Sequence, residues 1–294
     1  MRFSDLNLDG KAVDLVVEDG TIKEIVPAEG GRPCRPVVPA FYNCHTHAAM
    51  NILRGYADRY ENEDFLKGDP SWFMHQVEGP LNQEAMAFVA AGLSYGRRDL
   101  FMAKIALLME ASGGDMDGWV RGRRFAESLK GGDKSNFYRL YTCDDMNRFL
   151  SIYASVLEEY GSLGEYVRAD AGSGCCEDAI AAICKVFLSH GGCAVIPCDT
   201  RSACKRLSMF LRWMGRKDSP VDLGLWSDFI DRRTLLIPLD THVLQMASSL
   251  GLLDSRTASM SAARKLSARL AEVFPDDPAK GDFALFGAGV AGGA

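Results

Sequence analysis

This sequence lacks several features that would identify it directly as a membrane protein, a secreted protein or a protein that coats nucleic acid. No apolar run reaches the roughly 20 residues that a membrane-spanning helix needs. The N-terminus shows no apolar stretch followed by a small-residue cleavage site, as a secretory signal would. The 33 Lys and Arg residues are outnumbered by 39 Asp and Glu residues, which argues against a protein that coats nucleic acid nonspecifically. These absences predict a soluble, cytoplasmic protein.

Residues that form disulfides or bind metals are also few or poorly spaced. The nine cysteines are an odd number without a Cys-x-x-Cys pair, so we interpret them as free, partly buried thiols. Cys204 directly precedes a lysine and is a candidate reactive thiol, because positive charge stabilises a thiolate. With only five histidines, the chain can build few metal sites.

The hydrophobic periodicity changes near residue 55. Alternating apolar residues on both sides of Asp19-Gly20 predict a β-hairpin, because both turn positions adopt positive φ. After about residue 56 the apolar spacing becomes helical. We therefore predict a small β segment over residues 1–55 and a mostly helical domain over residues 56–294. The predicted helical windows are 83–93, 99–109, 144–159, 177–189, 203–214, 241–250 and 258–273.

His45 and His47 have the spacing of metal ligands. Residues two apart on a strand face the same side, so the two imidazoles would approach one ion. Residues 1–58, and above all the segment 39–50, resemble the start of the amidohydrolase superfamily, especially its nucleobase deaminases. In that family the His-x-His motif lies on the first barrel strand, and further histidines and an aspartate complete the metal site. A non-functional remnant, a fusion scar or a packing segment are the alternatives, because the remainder does not alternate strand and helix as a barrel does.

A basic segment over residues 201–217 contains six Lys or Arg residues and no acidic residue. Its apolar residues recur at helical spacing, and its basic residues lie along a different stripe. Ser202 is the predicted N-cap, which places Lys205 in the first turn. There the helix dipole and nearby arginines disfavour a charged ammonium, so Lys205 is a candidate amine nucleophile. The alternative is an amphipathic helix with a solvated basic face.

Asp240 follows an apolar segment and precedes a predicted helix, as an N-cap aspartate does. Taken together, Lys205 and Asp240 resemble a residue pair of the helix–hairpin–helix DNA glycosylase superfamily. In that superfamily a lysine near the start of the hairpin's second helix attacks the sugar C1′, and the aspartate supports departure of the base. The resemblance implies that Lys205 is the nucleophile and Asp240 the assisting carboxylate. Their wide separation along the chain points to the archaeal 8-oxoguanine DNA glycosylase branch.

A closer resemblance covers residues 56–294 and concerns a bacterial family of helical proteins, a conserved domain of unknown function. Its landmarks are Asp69-Pro70, the helix of Lys205, and the segments 91–98, 221–226, 237–242 and 277–287. The two resemblances imply a mainly α fold, with a helix–hairpin–helix glycosylase-like helical domain and a small N-terminal β segment.

The leading prediction is an enzyme that cuts an N-glycosidic bond in a nucleic acid or nucleoside through a lysine Schiff base. This chemistry requires no metal or organic cofactor. Basic residues would bind phosphate and a tryptophan would stack on an extruded base. The predicted substrate or phosphate contacts are Arg201, Arg206, Arg212, Arg216, Trp226 and His242. The alternatives are a noncatalytic nucleic-acid-binding or scaffold module, and a metal-dependent deaminase that uses His45 and His47.

Overall fold

The structure is a computed structural model that describes residues 2–8, 11–18, 21–28, 35–37 and 48–291. Contacts divide the chain into two compact units, Met1–Ala48 and Ala49–Ala294. Helices make up 57% of the chain, so it is mainly α with a small N-terminal β segment, as the sequence predicted. Within the described ranges, no helix is both long and apolar enough to cross a membrane.

The N-terminal unit contains a four-stranded sheet with the strand order β3-β2-β1-β4. Strands β2 and β3 are antiparallel and pair up to Glu18 and Thr21, which confirms the pairing predicted on either side of residues 19 and 20. Strand β1, which the sequence did not predict, pairs antiparallel with β2 and parallel with β4. The bounds are β1 (Arg2–Leu8), β2 (Lys11–Glu18), β3 (Thr21–Pro27) and β4 (Arg35–Val37).

The described part of the second unit consists mainly of α-helices joined by short turns. The helices are α1 (Ala48–Tyr60), α2 (Pro80–Leu93), α3 (Arg98–Ser112), α4 (Met116–Arg121), α5 (Cys143–Tyr160), α6 (Leu163–Asp170), α7 (Cys176–Ser189), α8 (Lys205–Gly215), α9 (Thr241–Ser249), α10 (Met260–Val273) and α11 (Gly281–Ala291). A short hairpin of β5 (Asn136–Tyr138) and β6 (Tyr141–Thr142) precedes α5. Single 3-10 turns occupy Glu63–Leu66, Pro70–His75, Arg124–Glu127, Arg232–Thr234 and Pro278–Lys280.

The seven predicted helical windows are confirmed as α2, α3, α5, α7, α8, α9 and α10, with ends that differ by a few residues. Four helices were not predicted. Helix α1 starts at Ala48, inside the stretch that the sequence assigned to β structure. Helices α4 and α6 have only six and eight residues, too few for a periodic pattern to stand out in the sequence, and α11 is rich in glycine and apolar almost throughout.

Two apolar cores of the helical unit meet where α8 begins. Ala203 packs in the smaller core, whereas Cys204 and the residues of α8 pack in the larger one. The chain crosses between the cores again just before α9, from Leu236 in the larger to Ile237 in the smaller. The first turn of α8 and the start of α9 therefore lie along the boundary between two packed cores, the kind of location where ligand sites form.

Candidate active site

Lys205 and Asp240 form an ion pair at the boundary between the two cores. The Lys205 Nζ lies 3.1 Å from the Asp240 Oδ2, and the two side chains are 32% and 34% exposed. Lys205 is the first residue of α8, and Asp240 is the N-cap of α9. The Asp240 Oδ1 accepts a hydrogen bond of 2.9 Å from the Val243 amide, which holds the carboxylate in place. The structure thus brings together the two residues that the sequence selected as catalytic.

The turn that leads into α8 differs from the predicted one. The N-cap of α8 is Cys204, whose φ of 45° lies in the left-handed region that favours glycine. Ser202, the predicted N-cap, forms an isolated β-bridge with Ser259, and its hydroxyl accepts a hydrogen bond of 3.4 Å from the Cys204 amide. Lys205 still lies in the first turn, directly after the left-handed residue Cys204.

Opposing influences act on the pKa of the Asp240 carboxyl group. Burial raises its pKa, but the Lys205 cation, the Val243 amide and His242 together lower the pKa below its ordinary value. His242 is exposed in the first turn of α9, so its effect on Asp240 is electrostatic. Asp240 is therefore an anion at neutral pH and can stabilise positive charge that develops beside it.

Asp282, in the first turn of α11, is a third charged residue at this site. Its carboxyl is largely buried, which raises its pKa; the cations Arg212 and Lys205 act against that rise, and the anion Asp240 adds to it. Asp282 therefore interacts electrostatically with both members of the ion pair, and its hydrogen-bond partner is Arg212. Asp282 lies within a family landmark, but nothing in segment 277–287 indicates from the sequence that it would contact a residue of α8.

Arg212 was predicted to contact phosphate, but the structure contradicts this because its side chain is only 2% exposed. Its Nε donates to the Asp222 Oδ1 at 3.2 Å, and its Nη1 donates to Asp282. The guanidinium also lies over the Phe283 ring, 4.7 Å from the ring centroid. The guanidinium of Arg212 is thus held by two carboxylates and one aromatic ring of the protein itself.

Arg216 was likewise predicted to contact phosphate and is likewise buried, with a side chain that is 3% exposed. It forms paired hydrogen bonds with Asp277 at 2.8–3.0 Å and one of 2.7 Å with Glu61, and it also donates to Asp222. Three carboxylates neutralise this single guanidinium. The basic stripe of α8 is therefore the centre of a buried ion network and not a solvated phosphate-binding face.

The other two predicted arginines lie in different surroundings. Arg206 donates from Nη1 to the Gly92 carbonyl at 2.6 Å and to the Tyr141 hydroxyl at 2.7 Å, so it joins α8 to α2 and to β6. Arg201 is an exposed residue whose guanidinium lies 2.6 Å from the Asp199 carboxylate. Of the four predicted arginine contacts, Arg201 is the one whose guanidinium stays largely in solvent.

Trp226 was predicted to stack on an extruded base, and the structure contradicts this because the ring is buried. Its Nε1 donates to the Glu84 Oε2 at 2.9 Å, and its ring meets Phe210 edge-on with centroids 5.1 Å apart. Burial raises the pKa of Glu84 to about 7, against the hydrogen bonds from Trp226 and from the first amides of α6. Trp226 and Glu84 therefore join elements of the core.

The predicted metal ligands His45 and His47 lie outside the described residues. Among the residues that the structure describes, no cluster of three or more His, Cys, Asp or Glu side chains is arranged to hold a metal ion.

The fold and the site define a mainly helical protein with a lysine–aspartate pair between two apolar cores. Residues 69–291 match the family described as "Protein of unknown function (DUF2400)". Because this match covers most of the chain, including Lys205, Asp240 and Asp282, the chain belongs to that family.

The chain also has similarity to proteins named as nucleoside deaminases. The 5-methylthioadenosine/S-adenosylhomocysteine deaminase of Desulforamulus reducens is 40% identical over 15% of this chain and 13% of its own length. Deaminase 1 of that name from Archaeoglobus fulgidus is 35% identical over 21% and 14%. The 5′-deoxyadenosine deaminase of Methanosarcina mazei is 28% identical over 47% and 40%. The chain thus spans less than half the length of these relatives, and no solved structure matches it significantly.

Proposed function

We propose that this protein cleaves an N-glycosidic bond of a nucleic acid or nucleoside, with Lys205 as the amine nucleophile and Asp240 as the assisting carboxylate. The observation that carries the proposal is the 3.1 Å approach of the two side chains, both about one-third exposed, at the boundary between the cores. A nucleophile beside a group that can take its proton is the arrangement that amine catalysis requires. The glycosylase-like fold is part of the same proposal.

The chemistry uses the two side chains in succession. Lys205 transfers a proton to a base, for which Asp240 is within hydrogen-bonding distance, and its free amine attacks the sugar C1′. The C1′–N bond breaks, its electron pair leaves with the base, and the base takes up a proton. Loss of a proton from the attacking nitrogen and opening of the sugar ring then give a Schiff base. Asp240 passes the proton from Lys205 to the departing base and, as an anion again, stabilises the positive charge that develops on the sugar and on the nitrogen.

The buried ion network of Arg212 and Arg216 connects the helix of Lys205 to the neighbouring parts of the helical unit. Arg212 connects α8, which carries Lys205, to Asp282 of α11. Asp282 in turn interacts electrostatically with both Lys205 and Asp240, so the network anchors the helix that carries the nucleophile and adds negative charge near it. Catalytic residues that lie on packed helices, and whose helices are joined by further hydrogen bonds, keep the geometry that the reaction needs.

The neutralised arginines also indicate how many phosphates a substrate of this site would carry. Strong binding to a long duplex requires many contacts between phosphates and exposed Lys or Arg. Arg212 and Arg216 make no such contacts because carboxylates already surround them. A nucleoside or a short single-stranded segment with few phosphates therefore suits this site better than a long duplex.

Borohydride trapping tests the proposed Schiff base, because the reduction converts it into a stable amine. The protein is incubated with abasic DNA, abasic RNA and a panel of damaged-base substrates, and the adduct is mapped by mass spectrometry. We expect one covalent adduct per chain, attached to Lys205.

The absence of an adduct on the whole panel, or labelling spread evenly over surface lysines, would contradict the proposal. Salt-dependent binding without an adduct or base release would instead identify a noncatalytic nucleic-acid-binding module.

A second candidate is metal-dependent deamination of a nucleoside, which the similarity to the three deaminases favours. It would use His45 and His47 as metal ligands. For this candidate we expect about one zinc or iron per chain in protein purified without a histidine tag, and release of ammonia from adenosine that a chelator abolishes. Protein that contains no metal and releases no ammonia would contradict the deamination candidate. Release of free base instead of ammonia would distinguish glycosidic cleavage from deamination.

A further inference from the structure

Two buried thiols meet immediately before the candidate nucleophile. Cys204 is the N-cap of α8, and Cys184 lies on α7. Both Sγ atoms lie within hydrogen-bonding distance of the Asp199 carbonyl oxygen, at 3.6 Å for Cys204 and 4.0 Å for Cys184, so the two thiols share one acceptor. The two sulfur atoms are therefore neighbours, although their residues belong to different helices.

A small oxidant can reach this pair from the surface. An open groove of about 480 Å³ is lined by Cys184, Cys198 and Asp199, together with Leu188 on the same face of α7. Cys198 is exposed in this groove, whereas Cys184 and Cys204 are almost fully buried. The groove thus reaches the pair at Cys184, and the accessible thiol of Cys198 in the same groove serves as an internal reference for reactivity.

The surroundings make Cys204 the more acidic thiol. The interaction with Cys184 lowers the pKa of Cys204 most, and the Ser202 hydroxyl and the Arg206 cation act in the same direction, against burial. The positive end of α8 also stabilises an anion at this N-cap. The interaction with Cys204 and burial raise the pKa of Cys184, so Cys204 is the thiol that loses its proton first.

We propose that Cys204 and Cys184 form a peroxide-reactive dithiol adjacent to Lys205. The Cys204 thiolate attacks hydrogen peroxide, takes one oxygen to become a sulfenic acid, and releases hydroxide. The Cys184 sulfur then attacks the sulfenic sulfur, loses its proton, and expels the oxygen as water. Overall, two thiols give up two electrons and two protons, one disulfide forms, and one peroxide becomes two waters. This modification site is independent of the proposed glycosidic chemistry.

The disulfide would connect α7 to the turn that carries the strained Cys204. It would close a loop of about 20 residues, which restricts the unfolded chain and raises Tm by about 5 °C. Because Lys205 directly follows Cys204, the oxidised bond would also restrict the turn directly before the lysine.

The test treats the full-length protein with a few equivalents of hydrogen peroxide, blocks free thiols with an alkylating agent, and maps the peptides by mass spectrometry. We expect a disulfide-linked Cys184–Cys204 peptide to form before Cys198 reacts, together with the rise in Tm. In Cys184→Ser, Cys204 has no partner, so we expect a sulfenic acid that a 1,3-dione probe captures. Cys198→Ser is the matched control, and the disulfide should form in it as in the wild type.

A disulfide that joins Cys184 to Cys198, or oxidation of Cys198 while the buried pair stays reduced, would overturn the proposal. The wild-type peptide map decides the matter even if Cys184→Ser does not fold. Failure to trap a Schiff base has no bearing on the result, because the disulfide is read from peptide masses alone.

Discussion

Replacing Lys205 by glutamine is expected to lower the rate of adduct formation in the borohydride assay by at least about 1,000-fold, because an amide cannot form a Schiff base. The fold should survive the change. Lys205 is partly exposed, and a pair of this kind contributes about 1 kcal/mol or less to stability. Lys217 is an exposed lysine just beyond the same helix, so Lys217→Gln is the matched control and should leave the rate unchanged. The measurement is the initial rate of adduct formation on a gel.

Asp240→Asn refines this prediction. Asparagine is as good an N-cap as aspartate, so α9 should begin as before and the protein should fold. The variant loses the carboxylate that stabilises the positive charge on the sugar while the base departs. Release of an intact base should therefore fall by about 100-fold. Trapping on a preformed abasic aldehyde should fall less than base release, because that step needs a free amine but no departure of a base. Full trapping by Lys205→Gln, or unchanged base release by Asp240→Asn, would contradict the assigned roles.

Replacing Arg216 by methionine is expected to reduce the free energy of unfolding by roughly 3–5 kcal/mol, the usual cost of breaking a buried ion pair from one side. The methionine fills a similar volume, so the loss reflects charge more than packing. Asp222, Asp277 and Glu61 would be left largely buried and without their shared guanidinium. Urea unfolding followed by circular dichroism measures the effect.

Arg201→Met provides the comparison for that experiment. Arg201 also pairs with an aspartate, but its side chain is 89% exposed, so water already screens the interaction. We expect no measurable change in the midpoint of its urea transition. Similar losses in the two variants would show that the Arg216 network contributes no more than a surface pair.

Local sequence patterns predicted most of the helices because amphipathic periodicity is a property of neighbouring residues. Helices α5 and α10 illustrate this, since each begins at a hydroxyl N-cap and continues with apolar residues at helical spacing. Helix α11 and strand β1 were not predicted. The first is apolar on every side, and the second is a short, irregular strand with a register shift.

The roles of the arginines on α8 could not be predicted from the same patterns. A basic residue at a helical position has the same sequence signature whether it faces water or a buried carboxylate. The partners of Arg216 are Glu61 and Asp277, which lie 155 and 61 positions away along the chain. Burial of Trp226 against Glu84 could not be predicted either, because the two residues are 142 positions apart along the chain.

The residues of the candidate site were selected from the sequence, but their arrangement was decided by tertiary packing. An N-cap aspartate after an apolar segment and a lysine at the start of a basic helix are local features, and both are found where they were expected. The 3.1 Å contact between them and the Arg212–Asp282 hydrogen bond depend on helices from distant parts of the chain. These contacts form only when the two cores pack together, because burial of apolar surface provides the free energy that holds such charged and polar groups side by side.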